Sequence, residues 1–137
     1  MAVYLSNGVV LTVNAVDLST LVSSVTINRS FDELEVTAMG DSGHKFVKGL
    51  EASSITVDFF NDSESQKTLQ TLNSSSVWGN NITVTAKQTS AATSATNPLY
   101  TMTCLVNNTT PINGAIGDLS TQSVTWNVSG TIVVTTA

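Results

Sequence analysis

Gln122-Ser-Val-Thr-Trp-Asn-Val-Ser-Gly-Thr131 is the stretch whose reading decides the fold. Val124, Trp126 and Val128 alternate there with Ser123, Thr125, Asn127 and Ser129. Period two is the spacing at which a strand sets one side chain in a core and the next in water. The pattern recurs upstream. Val25 and Ile27 stand between Ser24, Thr26 and Asn28, and Leu34 and Val36 between Glu33, Glu35 and Thr37. Ile55, Val57 and Phe59 alternate with Ser54, Thr56 and Asp58, and Ile82, Val84 and Ala86 with Thr83, Thr85 and Lys87. Tyr100, Met102, Cys104 and Val106 carry one face of a further strand. With the opening segment and the end of the chain, about eight strands are expected, which makes the fold class all-β: a sandwich or partly open barrel.

Turn chemistry falls between these runs. Asn7-Gly8, with Tyr4-Leu5 before it and Val9-Val10-Leu11 after, is a hairpin signal because both central positions of such a turn need positive φ. Gly40-Asp-Ser-Gly43 and Asn113-Gly114 mark two more loops, and Gly130 predicts a bulge or bend in the last strand run. One segment changes period. Ser63 with Gln66 three residues on matches a capping box, and Leu69 and Leu72 recur at helical spacing, so one short helix is expected over about residues 62–73. Thr89 to Asn97 is Ser, Ala and Thr without periodicity, ended by Pro98, and reads as a flexible loop inside one domain spanning residues 1–137.

Composition narrows the function classes. Charged residues are 11% of the 137, under half the usual share of about 25%, so Ser, Thr and Asn must cover much of the surface. A mean hydropathy of +0.17 and 41% apolar residues speak against disorder. Ten acids against five bases, with a pI near 4.4, speak against a nucleic-acid partner held by counterion release. No apolar run approaches the roughly 18 residues of a membrane span, and Met1-Ala-Val-Tyr4 lacks a basic signal-peptide start, so no membrane partner and a cytosolic site of synthesis are expected. A single cysteine, Cys104, excludes an intrachain disulfide framework.

Residues able to do chemistry are few. His44 is the only imidazole and reads as a surface loop residue, since a triad or zinc site would need partners the chain lacks. Cys104 shares the face of Met102 and Val106 and reads as a small core residue. Asp32, Glu33 and Glu35, with Asp41 beyond, form the densest acidic group, but their spacing matches neither a calcium loop nor an acid–base pair. They read as a solvated acidic face. No catalytic, cofactor-binding or metal-binding residue is assigned, and no enzyme activity is expected.

With the strands placed, residues 22–60 resemble the lambda-like phage tail tube proteins. The likeness runs from Val22-Ser-Ser-Val-Thr-Ile-Asn-Arg29 through Glu35-Val-Thr-Ala-Met-Gly-Asp-Ser42 and Phe46-Val-Lys-Gly-Leu-Glu51 to Ile55-Thr-Val-Asp-Phe-Phe60. The closing stretch from Gly114-Ala-Ile-Gly-Asp-Leu119 to Ser129-Gly130 is similar to the end of the same family. Lys48 stands where that family usually carries Pro before the Gly-Leu step, and the loop from Met39 to His44 is short. The resemblance implies a virion structural subunit, made in the bacterial host cytoplasm, that assembles with itself into stacked rings conducting DNA. Capsid cement or decoration proteins reuse the fold, so docking on a head shell, as a trimer or monomer, stays open. A third alternative, of another class, is a secreted carbohydrate-binding or adhesin module.

Within that reading the segment from Gly40 to Leu50 is expected to act through other subunits more than through the chain's own core. Gly40, Asp41, Lys45, Phe46 and Lys48 combine conformational freedom, an aromatic ring and two of the five bases, and these could meet the acidic Asp32, Glu33 and Glu35 face of a neighbour.

Overall fold

The alternating segments pair as antiparallel ladders in a computed structural model that describes residues 8–137. The expected hairpin at Asn7-Gly8 lies outside the described residues. In chain order the elements are β1 (Val10–Val13), β2 (Val16–Asp17), a 3₁₀ turn (Ser19–Leu21), β3 (Val22–Asn28), β4 (Phe31–Glu35), β5 (Phe46–Glu51) and β6 (Ser54–Phe60). Then follow α1 (Thr68–Asn73), β7 (Asn81–Lys87), β8 (Leu99–Leu105), β9 (Thr121–Asn127) and β10 (Val133–Thr135). Among the described residues the strands thus number ten where about eight were expected. The two not expected are β2, only two residues long, and β5, whose Phe46-Val-Lys-Gly-Leu-Glu51 does not alternate.

Two sheets face each other. One has the order β10-β8-β7-β1-β2 and the other β3-β6-β9. Leu11, Val13, Ile82, Val84, Ala86, Met102 and Cys104 project from the first sheet, and Ile55, Val57, Phe59, Val124 and Trp126 from the second. All are buried, so both inner faces are the apolar halves of the alternation. Trp126 is fully buried beside Phe59, their ring centroids 6.4 Å apart, and its indole N–H donates to the Asn108 carbonyl at 3.3 Å. Among the described residues no buried side-chain nitrogen or oxygen lacks a hydrogen-bond partner.

The sheets join at one corner. Past the end of β9, Val128 bridges Cys104 of β8, and the Ser129 N–H donates to the Thr103 carbonyl at 2.7 Å. Gly130, at φ 99°, then lets two surplus residues loop out before Val133 pairs with Thr101. The break expected at Gly130 is present, two residues after Val128 has taken the chain from one sheet to the other. The barrel does not close, and the architecture is an all-β sandwich.

The helix is shorter than its sequence signature. Gln66 has φ 59°, which no helical residue adopts, and α1 begins only at Thr68, after an extended Lys67 with no side-chain cap. The Ser63–Gln66 capping box therefore does not form. Asp62 takes over the turn instead, its carboxylate accepting the Glu64 N–H at 2.9 Å and its carbonyl the Leu69 N–H at 3.0 Å. Leu72 is fully buried, as the helical spacing implied. The loop from Thr89 to Asn97 is organised around the buried Asn97. Its amide donates to the carbonyls of Ala91 at 2.9 Å and Thr89 at 3.3 Å and accepts the Thr89 N–H at 3.3 Å, and these bonds stand in for regular pairing.

Candidate functional site

The third sheet is the anomaly. β4 and β5 pair only with each other, forming a two-stranded ribbon that no other described strand joins. β4 follows β3 after Arg29 and Ser30, and β6 follows β5 after Ala52 and Ser53. Since β3 also pairs with β6, the four strands are one long hairpin whose base lies in the sandwich and whose far half projects as an arm. The junction is pinned on both sides: the Ala52 N–H donates to the Ser30 carbonyl at 2.8 Å, and the Ser30 hydroxyl donates to the Ala52 carbonyl at 2.7 Å.

Register sorts the arm's side chains into faces, because residues opposite one another in an antiparallel pair point the same way. Leu34 opposes Val47, and Val36, two residues on, follows Leu34, which gives one aliphatic face. Glu33 opposes Lys48 and Glu35 opposes Phe46, which gives a charged and aromatic face. Between these pairs and Phe31↔Glu51 the register shifts, so Gly49 and Leu50 together oppose Asp32 as a bulge. A Cβ on Gly49 would lie 2.9 Å from both the Cβ and the carbonyl oxygen of Asp32, so this bulge requires glycine.

Every residue of β4 is exposed. Leu34 keeps 51% of its surface in water, Phe46 52% and Leu50 81%, although the sequence pattern is that of a half-buried strand. No residue from Phe31 to Leu50 enters the core. An isolated two-stranded hairpin is marginal in water, and contiguous exposed apolar side chains are uncommon on a monomer's surface.

The sequence-predicted site residues all fall on this arm, and the structure ties their charges together locally. Lys45 Nζ reaches the Asp41 carboxylate at 3.0 Å, and Asp41 also accepts the Ala38 N–H at 2.8 Å. These contacts, the backbone donor first, hold Asp41 below the usual carboxylate range. His44 Nδ1 lies 2.6 Å from Glu35 Oε2, and the Thr37 hydroxyl donates to the same oxygen at 2.8 Å. Glu35 is lowered by Thr37 first and His44 second. Lys48 sits 5.4 Å above the Phe31 ring, and His44 stacks obliquely on Phe46 with centroids 6.2 Å apart. Gly40 turns the loop at φ 91°. The cations expected to reach a neighbour's acids thus meet acids and an aromatic of their own arm. Lys48 supplies the cation over Phe31.

A second exposed region was signalled only as a turn at Asn113-Gly114. Ile112 is 91% exposed, Leu119 77%, and Ile116 fully, on a loop that runs beside the free edge of β9. Buried Gln122 anchors it, accepting the Thr109 hydroxyl at 2.8 Å and the Thr110 N–H at 2.9 Å while donating to Asn61 Oδ1 at 2.8 Å. Asn108 and Asn113 donate to the Thr125 and Thr121 carbonyls at 3.0 and 2.8 Å, so this segment covers the β9 edge with side-chain amides. Spotting the site in sequence would have required noticing three aliphatic residues in a loop with a single charge, Asp118.

Among the described residues no three His, Cys, Asp or Glu side chains group as a metal site, and no helix is long and apolar enough to cross a membrane. Cys104 is fully buried, and desolvation pushes its thiol up to about 12, which suits a core residue and not a nucleophile. The chain matches no protein-family model and no curated protein.

Proposed function

We propose that this chain is a non-enzymatic structural subunit of a tailed-phage particle, of the tail-tube kind, that works by assembling with copies of itself into rings around a DNA conduit. The observation that carries the reading is the arm: a hairpin extension with an aliphatic face, outside a sandwich whose own core is complete without it. Free edges and exposed apolar ribbons are liabilities in a monomer and are relieved by pairing with another chain. The arm's other face, with Glu33 and Glu35, together with a net charge of −5, suits a lumen that lets DNA pass without holding it.

Negative-stain microscopy and sedimentation of the purified protein test this. Hollow rods or stacked rings are expected, and Leu34→Ser with Val47→Ser should abolish them while the monomer stays folded. A wild-type chain that stays monomeric at every concentration and binds only preformed capsids would replace the tube reading with the cement one. Monomers with neither behaviour would sink both.

A further inference from the structure

Between the tip of the β1–β2 hairpin and the segment that carries α1 lies a groove of about 710 Å³, within the size range of small-ligand sites. Its floor is aliphatic, with Val77 buried and Leu69 half-buried. Four side-chain amides, those of Asn14, Gln66, Gln70 and Asn73, stand exposed along it, and the remaining polar lining is hydroxyl. No lining residue is charged, although Asp17, Asp62, Glu64 and Lys67 neighbour the groove in sequence. Both walls are fixed to the sandwich: the Asn14 N–H donates to the Thr83 carbonyl at 2.9 Å, and the Thr68 hydroxyl to the Phe60 carbonyl at 2.9 Å. The Gln70 amide is held by its oxygen, which accepts the Gln66 N–H at 2.8 Å and leaves the NH₂ group without a partner among the described residues. Backbone strain gathers at the same place. Asn14, Ala15 and Gln66, at φ 50°, 65° and 59°, are the three non-glycine residues with positive φ among those described. They fill two tight turns, Val13–Val16 and Glu64–Lys67, in which Ala15 and Gln66 stand where glycine is favoured. Backbone held in this way is costly and concentrates at ligand sites.

From this lining we infer that the groove binds a neutral oligosaccharide. Sugar hydroxyls both donate and accept, and a side-chain amide does both from one planar group, so four amides can engage several hydroxyls with no charge to desolvate. The aliphatic floor gives the C–H face of a pyranose ring an apolar surface to rest on. A phosphorylated, carboxylated or sulfated ligand would find no cation in the lining, in a chain whose net charge is −5. An extended peptide would need a sheet edge to pair with, and β2, the edge strand here, offers two residues before the chain turns at Ser19–Leu21. Anchored walls keep the ordering cost of binding low. No aromatic platform lines the groove, so affinity is weak and depends on the amides. The site lies apart from the arm, and the inference stands whether or not the chain assembles.

Titration of the full chain with maltohexaose and with chitotriose, followed by amide NMR shifts up to about 20 mM sugar, tests the inference. Saturable shifts are expected with at least one of the two sugars in residues 14–17 and 63–77, and none in the arm from Phe31 to Glu51. Asn14→Gly with Asn73→Ala should weaken that binding about tenfold. Glycine keeps the positive φ at position 14, so the melting temperature should stay that of wild type. Gln66→Gly, which also keeps its φ, is a second variant read in the same way if the double one melts early. No saturable shift with either sugar, saturable shifts confined to other parts of the molecule, or unchanged affinity in a folded variant overturns the site. Binding of a neutral Ser/Thr-rich peptide in place of both sugars overturns it too, and would assign the groove to a protein partner. Equally strong shifts from dextran sulfate would show that the uncharged lining does not select the ligand, and would overturn the neutral-sugar assignment.

Discussion

The two halves of the long hairpin make an instructive pair. In β3 and β6, Val25, Ile27, Ile55, Val57 and Phe59 alternate with polar residues, and a second sheet lies across their apolar face. In the arm, Leu34 and Val36 and, opposite, Val47 alternate just as regularly, and none of the described residues buries them. The strands are continuous and differ only in what stands opposite. Alternation states that a ribbon has an apolar face; it does not state whether the chain itself provides the cover.

The sharpest contrast should come from Trp126→Ala, deep in the body. Removing a fully buried indole beside Phe59 should cost about 3–5 kcal/mol, measured by denaturant unfolding, through the cavity left behind. A loss below about 1 kcal/mol would mean that the two sheets are not packed on this residue and that the body is no better closed than the arm.

Gln122→Ala tests the anchored loop. The Thr109 hydroxyl, the Thr110 N–H and Asn61 Oδ1 would each lose a partner in a part-buried setting, at a cost of about 1–3 kcal/mol. Hydrogen exchange should rise in residues 107–121 and stay unchanged in the arm. Equal loosening of both would show that the two exposed regions are coupled, contrary to their placement at opposite ends of β6.

Acid separates the regions in another way. Glu51 accepts the Ile132 N–H at 3.0 Å and the Ser53 hydroxyl at 2.7 Å, and these, in that order, lower its pKa, with Arg29 and Lys48 adding at longer range. A carboxylate depressed on folding stabilises fully above its unfolded value, and this contribution is lost as pH falls through the folded value. Glu51 links the base of the arm to the segment before β10, so Glu51→Gln should shrink the acid limb of the melting-temperature profile. Glu35 is also depressed, by Thr37 and His44 of its own exposed arm, so the same linkage applies but Glu35→Gln should shrink that limb by less. The reverse ranking would show that the arm, not the junction, carries the pH dependence.

The smallest expected effect on stability is at the arm's aliphatic face. Leu34→Ser with Val47→Ser should move the unfolding free energy by no more than about 0.5 kcal/mol, since both residues already stand half in water. A larger loss would show that the arm folds back on the sandwich in solution and would erase the difference between the two halves of the hairpin.

Much of this molecule was legible from residue order alone. Period two in Val124, Trp126 and Val128 named a buried face, Cys104 followed Met102 and Val106 into the core, and Gly130 marked the bend in the last strand run. Those readings hold because strand geometry is local: side chains alternate whatever the strand later packs against. The helix start failed for a local reason as well, since Gln66 sits at φ 59° and gives the N–H that a Ser63 cap was expected to take to the Gln70 side-chain oxygen at 2.8 Å. Only the tertiary structure decided which apolar faces are covered. That β4 and β5 leave the sandwich, that Ile112, Ile116 and Leu119 stand in water, and that these two regions lie at opposite ends of β6 all depend on strand order and register. Burial is a property of what faces a residue across space, and residues such as Leu34 and Ile55 carry the same local pattern while only one of them finds a second sheet.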